Sequence, residues 1–148
     1  MTYEPYEPTD VELRQLLDRY LAQWNEPDPD RRAGLIRQVW SPDAVQVLVN
    51  PPEEIREGAA RYGIAAPPLV VRGHDAFDAR VRHAYERFVA PGWYVFELDG
   101  EPLRQAGAAA SFTWVMRDRA DGSVAGSGFD VLTFAADARI RTDHQFVA

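Results

Sequence analysis

A carboxyl group set on an apolar strand face is the first chemically informative feature of this sequence. In Gly126-x-Gly128-x-Asp130-x-Leu132-x-Phe134 a period of two places Asp130 beside two glycines and two apolar side chains. Burial without a cationic partner favours the neutral acid, which can donate a proton near neutral pH. The other reading of Asp130 is a carboxylate that anchors an Arg or a backbone donor across the sheet. Tyr20 lies on the apolar stripe of a helix, where its ring packs and its hydroxyl must find a partner.

Near the end of the chain Asp143 and His144 are adjacent, so on a strand they point to opposite faces and one of them points inward. Alternation with Ile140, Thr142 and Phe146 favours His144, and Asp143 is the alternative. Either side chain can move a proton.

The composition removes most other chemistry. The chain has no Cys, and all 16 basic residues are Arg, which excludes thiol nucleophiles, disulfides, Schiff bases and the lysine of a P-loop. A net charge of −7 repels nucleic-acid backbones and anionic lipid, so neither nucleic acid nor membrane is an expected partner. His74, His83 and His144 show no paired metal-ligand spacing, so no metal is expected. Ser127 lacks the glycine two residues upstream that a nucleophile elbow needs, and Gly126-Ser127-Gly128 lacks the third glycine of a dinucleotide loop. No cofactor is expected. Arg80, Arg82 and Arg87, interleaved with Glu86, read as a solvated helix face. The opening Met-Thr-Tyr-Glu-Pro has neither the basic nor the apolar region of a signal peptide, so the expected compartment is cytoplasmic.

These residues need a scaffold, and its elements are legible. The 148 residues suit a single domain, 1–148. Residues 1–8 read as an extended arm. Thr9 and Glu12 form a capping box ahead of Leu13, Leu16, Leu17, Tyr20, Leu21 and Trp24, the stripe of a helix over 9–25. Asp30 can cap a second, short helix carrying Leu35, Ile36, Val39 and Trp40, which ends at Ser41-Pro42. Residues 44–49 read as a strand, and 51–72 as a loop or lid insertion with a short helix marked by Ile55, Ala59 and Tyr62. A third helix follows Gly73, striped by Phe77, Val81, Ala84, Tyr85 and Phe88. Strands are predicted over 93–98, 103–117, 124–134 and 140–147, with turns at Asp99-Gly100, Asp121-Gly122 and Asp137-Ala138. Helices followed by a meander is α+β order.

Three stretches resemble the SnoaL-like, nuclear-transport-factor-2-like superfamily: Arg19-Tyr20-Leu21-Ala22-Gln23-Trp24-Asn25, Trp40-Ser41-Pro42-Asp43-Ala44-Val45 and Val71-Arg72-Gly73-His74-Asp75-Ala76-Phe77. Residues 129–140 resemble its D-x-x-x-F-x-x-D-G-R-I hairpin, with Ala138 in the usual place of Gly. The resemblance spans about residues 9–147. It implies a curved mixed or antiparallel sheet wrapped into a cone, with three helices closing a central pocket.

By the same resemblance, Tyr20 and Asp130 fall where ketosteroid isomerases have the tyrosine and the protonated aspartic acid of their oxyanion hole, a case in which an apolar site keeps a carboxyl neutral. The first-strand carboxylate base of those enzymes is unmatched, since Leu48 or Asn50 stands there. SnoaL-like cyclases are similar in using an Asp on this sheet, without a cofactor. The expectation is a domain that binds a small hydrophobic or aromatic molecule, with Trp24, Asn50, Trp114 and Leu132 at the ligand. Tyr20 and Asp130 would polarise a carbonyl, and His144 or Asp143 would move a proton, as in an isomerase, lyase or polyketide cyclase. A non-catalytic ligand-binding module and a dimeric interaction module are the alternatives. A homodimer is the expected assembly.

Overall fold

A computed structural model describes residues 5–61, 63 and 68–148 of the chain, and the side chain of Ile55 is not among the described parts. Residues 1–4 of the arm, Tyr62 of the short-helix stripe and residues 64–67 of the insertion lie outside the described residues.

Helix α1 (Asp10–Asn25) starts at the capping box: the Thr9 side chain accepts from the Glu12 amide, and Glu12 accepts from the Thr9 amide. It buries Leu13, Leu16, Leu17, Tyr20 and Trp24 on one stripe. Helix α2 (Pro29–Val39) is capped by Asp28 rather than Asp30, because Pro29 takes the first helical position, where its missing N–H costs nothing. Strand β1 (Trp40–Leu48) begins as soon as α2 ends and therefore includes Pro42. Helix α3 (Glu53–Ala60) and the short strand β2 (Leu69–Arg72) occupy the insertion, and β2 pairs antiparallel with β1. Helix α4 (Gly73–Ala84) runs on into a π-helical turn over Tyr85–Val89, a form that is concentrated at functional sites.

Strands β3 (Tyr94–Gln105), β4 (Ala109–Asp118), β5 (Val124–Phe134) and β6 (Ile140–Val147) form the meander. The six strands make one mixed sheet in the order β2-β1-β6-β5-β4-β3, with β1 parallel to β6. The architecture is α+β, an open curved sheet with helices across its concave side. Asp99-Gly100 does not turn the chain. Gly100, at φ +76°, sits in a register break and β3 continues to Gln105. Between β5 and β6, Ala138 adopts φ +71°, the left-handed conformation in which a glycine costs less.

A second register break decides the chemistry of β6. Phe134 pairs with Ile140 and Thr133 with Thr142, so one extra residue is accommodated on β6 and the alternation changes phase. Ile140 points into the core. Beyond the break, Asp143 and Gln145 point inward, while His144 and Phe146 are exposed.

The core joins the α1 stripe to Ile36, Val39, Trp40, Phe77, Val81, Phe112, Leu132 and Phe134. Trp40 stacks on Phe77 with centroids 4.0 Å apart, tying β1 to α4.

Candidate active site

The mouth of the cone holds a cavity of about 250 Å³. Its wall is mainly aromatic and aliphatic, with Leu21 and Trp24 from α1, Phe88 from the π turn, Phe96 from β3, and Trp114 and Met116 from β4. The inward glycine of β5, Gly126, contributes open space, and Gln145 comes from β6. At the rim, Pro52 and Glu54 precede and begin α3. A β-carbon on the other inward glycine, Gly128, would overlap the Trp114 indole, so this glycine is what lets the ring lie across β5.

Beneath the cavity six side chains close a ring of hydrogen bonds. Tyr20 donates to Asp130 at 3.1 Å and lies 3.5 Å from Oδ2 of Asp143. Gln145 donates to both oxygens of Asp130 at 3.4 and 3.2 Å, and its own oxygen accepts from Nη2 of Arg80 at 2.8 Å. Gln46 donates to Asp143 at 2.9 Å and accepts from Nε of Arg80 at 2.8 Å. Trp114 adds a bond from Nε1 to Asp130 at 2.8 Å. Each glutamine therefore turns its oxygen to the cation and its amide nitrogen to a carboxyl group. This orientation follows from what each side chain can donate or accept.

Both carboxyl groups have no solvent exposure. Burial, then the negative charge of Asp130 and a hydrogen bond to it, raises Asp143 well above the usual carboxylate range. Asp130 is raised by burial too, but hydrogen bonds from Asp143, Trp114, Tyr20 and Gln145 oppose the rise. The proton shared by the pair thus resides on Asp143, with the charge on Asp130. Asp130 is raised as expected, but three side-chain donors, Tyr20, Trp114 and Gln145, aim at it and favour its charged form over that of Asp143. Tyr20 is held far from ionisation, by burial first and then by the two carboxyl groups.

Two of the polar groups that line the cavity are ones the sequence does not mark as site residues. Arg80, 6% exposed, is no member of a solvated helix face: its guanidinium lies 5.0 Å from the Trp24 ring centroid and lines the cavity. Arg80 stands three residues after Phe77 and four before Ala84, a placement on the stripe that could have signalled its burial. His83, one turn further, also lines the cavity. Desolvation lowers its pKa below the usual imidazole value, and the charges of Arg61, Arg80 and Arg87 add to that effect against Glu86. It is a neutral imidazole at pH 7, able to accept a proton. Its ring packs against Gly58 of α3, where a β-carbon would overlap it. Among the described residues no three His, Cys, Asp or Glu side chains converge as metal ligands.

The other expected site residues fall as follows. Tyr20, Trp24 and Trp114 line the cavity, whereas Asp130 and Asp143 lie behind its floor. His144 is exposed on the outer face, contrary to the alternation reading, because the β6 register break changes the phase. Leu132 is core, fully buried and away from the cavity. Asn50 is exposed and ties the end of β1 to β6, accepting from the Val147 amide at 2.8 Å and donating to its carbonyl at 2.9 Å.

No family model and no curated protein matches the sequence. Solved structures do match the fold. A SnoaL-like family protein from Agrobacterium tumefaciens, described as a candidate isomerase, superposes with a TM-score of 0.70 at 25% identity, over 93% of this chain and 98% of that one. An NTF2-like protein from an Exiguobacterium gives 0.61 at 20% identity, over 90% and 98% of the two chains. A candidate polyketide cyclase from Sinorhizobium meliloti gives 0.57 at 16%, over 93% and 99%.

Proposed function

We propose that this chain, which has the SnoaL-like, NTF2-like fold, is a cofactor-independent acid–base enzyme acting on a small hydrophobic carbonyl compound held in the cone. One observation carries the reading: a neutral imidazole, His83, and a guanidinium, Arg80, lie one helical turn apart in the same largely apolar cavity. Side chains three apart on a helix are neighbours, with β-carbons about 5–6 Å apart, so one substrate can meet both.

His83 takes a carbon-bound proton next to the carbonyl, and the electron pair moves onto the carbonyl oxygen. Arg80 faces that oxygen and stabilises its charge, which counts for more in a water-poor site. Return of the proton from His83 to another carbon or to the oxygen completes an isomerisation, with no co-reactant. The roles first expected of Tyr20 and Asp130 thus pass to Arg80, and that of the base to His83. Helix α3 covers the mouth, through Gly58 against His83 and a Glu54–Arg87 ion pair at 3.8 Å, and limits water.

The test is proton exchange of 2-tetralone in deuterated water, followed by NMR, for the wild type and His83→Ala. Wild-type exchange at least tenfold above buffer, lost in the variant, is the expected result. If the ketone binds and exchange stays at the buffer rate, the enzymatic reading is wrong and a ligand-binding module is left. That second reading is favoured by the commitment of the Tyr20 hydroxyl to Asp130. For assembly, a homodimer through the outer sheet face would cover Phe129 and Phe146, whose exposed rings lie 6.4 Å apart.

A further inference from the structure

Arg80 is the most deeply buried group that faces the cavity with a permanent charge. Two of its nitrogens bond to neutral amide oxygens, those of Gln46 and Gln145 at 2.8 Å each. Among the described residues no carboxylate lies within ion-pair distance of it, although seven other arginines have such partners. Its third nitrogen, Nη1, makes no hydrogen bond among the described residues. A guanidinium in a dry apolar site gains most from a charged planar acceptor.

The surrounding charges allow such a guest. Asp130 sits one glutamine away, and the proton on Asp143 leaves the buried ring with one positive and one negative charge. The acidic group lining the rim, Glu54, is drawn outward to Arg87. Trp24, Phe96 and Trp114 offer ring faces and edges to the rest of the guest. At about 250 Å³ the space is slightly below the ~300 Å³ lower end for ligand pockets, which sizes the guest at one or two fused rings.

We infer that the compound this cavity takes is an aromatic carboxylate, its carboxylate seated on Nη1 of Arg80 and its rings between Trp24 and Trp114. The inference rests on the reading of the cavity as a substrate site and narrows the carbonyl compound to one whose acid group lies beside the carbonyl, so that the two N–H groups of Nη1 are shared between the carboxylate and the carbonyl oxygen. Carboxylate and reacting carbon then sit one helical turn apart, opposite Arg80 and His83.

Quenching of tryptophan fluorescence tests this directly, because two tryptophans line the cavity. Naphthalene-2-carboxylate and its neutral isostere naphthalene-2-carboxamide are titrated at pH 7 into the wild type, Arg80→Gln and Arg80→Lys. The acid is expected to bind at least tenfold more tightly than the amide to the wild type. Arg80→Gln should bring the two within about twofold, and Arg80→Lys should keep the preference for the acid in reduced form. If Arg80→Gln fails to fold, the wild-type ratio and the lysine variant decide. An amide that binds the wild type as well as the acid overturns the carboxylate inference while leaving the apolar substrate site intact. Binding of neither probe overturns both. Tight binding of the acid, together with a tetralone that binds yet does not exchange, supports this inference and removes the catalytic one.

Discussion

The Tyr20 hydroxyl donates to Asp130 at 3.1 Å and stands 3.5 Å from Asp143, so in a residue that also lines the cavity the hydroxyl is held between two buried carboxyl groups. A tyrosine placed this way braces α1 against β5 and β6. It has no remaining proton to give to a ligand.

Tyr20→Phe separates that role from an oxyanion-hole role. It removes one buried donor and keeps the ring, so unfolding stability should fall by about 1–3 kcal/mol. Tetralone exchange should change by less than tenfold, measured beside thermal melts. Loss of a direct oxyanion donor would instead cost about 10²–10³-fold in rate.

The two carboxyl groups should respond oppositely to amidation. Asparagine at 143 mimics the protonated acid, accepting from Gln46 and donating to Asp130, whereas asparagine at 130 turns an NH₂ toward Trp114 or Tyr20. Asp143→Asn should therefore be tolerated, and Asp130→Asn should lose stability by about 1–3 kcal/mol.

The pH dependence has a definite sign. Because folding raises the Asp143 pKa, the folded chain binds more protons than the unfolded one between the two values, and stability contributed by this group is full below the unfolded pKa and lost as pH rises toward the folded one. Asp143→Asn removes that loss. Its melting temperature relative to wild type should increase as the buffer is taken from about pH 5 to about pH 8, and a constant difference would contradict a proton on Asp143.

Gly128→Ala puts a β-carbon into the Trp114 indole. Overpacking of this kind costs about 1–3 kcal/mol. The indole must also leave Asp130, so the tryptophan emission should shift along with the melting temperature.

Gly58→Ala is a probe of α3 as a cover. Alanine favours a helix over glycine by about 1 kcal/mol, yet here its β-carbon overlaps the His83 ring. Exchange activity should fall at least tenfold while global stability, from denaturant melts, moves by no more than about 1 kcal/mol. Unchanged activity would show that the position of His83 against α3 is unimportant.

Much of this fold was legible because its helices obey simple local rules. The Thr9–Glu12 box and the stripe from Leu13 to Trp24 identify α1 almost to the residue. The Asp99-Gly100 pair was misleading, since Asp-Gly signals a turn locally but pairing with β4 carries the strand through it. Strand β2, four residues long within a proline-rich insertion, has too little periodicity to stand out. At the site, Tyr20, Trp24 and Trp114 follow from stripe and alternation. Arg80 and His83 do not, because a charged residue on a helix is normally solvated, and only the glutamines of β1 and β6 make the burial of Arg80 tolerable. The depressed imidazole arises from desolvation first and then from the charges of Arg61, Arg80 and Arg87, all of which surround it only in the folded chain.

The register break ahead of Asp143 acts on β6 as a reading frame acts on a message. Upstream of it the inward set would be Thr142, His144 and Phe146; downstream it is Asp143 and Gln145. The extra residue, Arg141, is what lets Ile140 and Asp143, an odd number of positions apart, both face inward; without the bulge, a β6 of the present length would turn the acid and the glutamine out of the floor and an imidazole and a phenyl ring into it. Deletion of Arg141 would place Ile140 and Asp143 two positions apart and keep the pocket chemistry on a regular strand, so the bulge, and not a substitution at any inward site, decides which side chains form the floor.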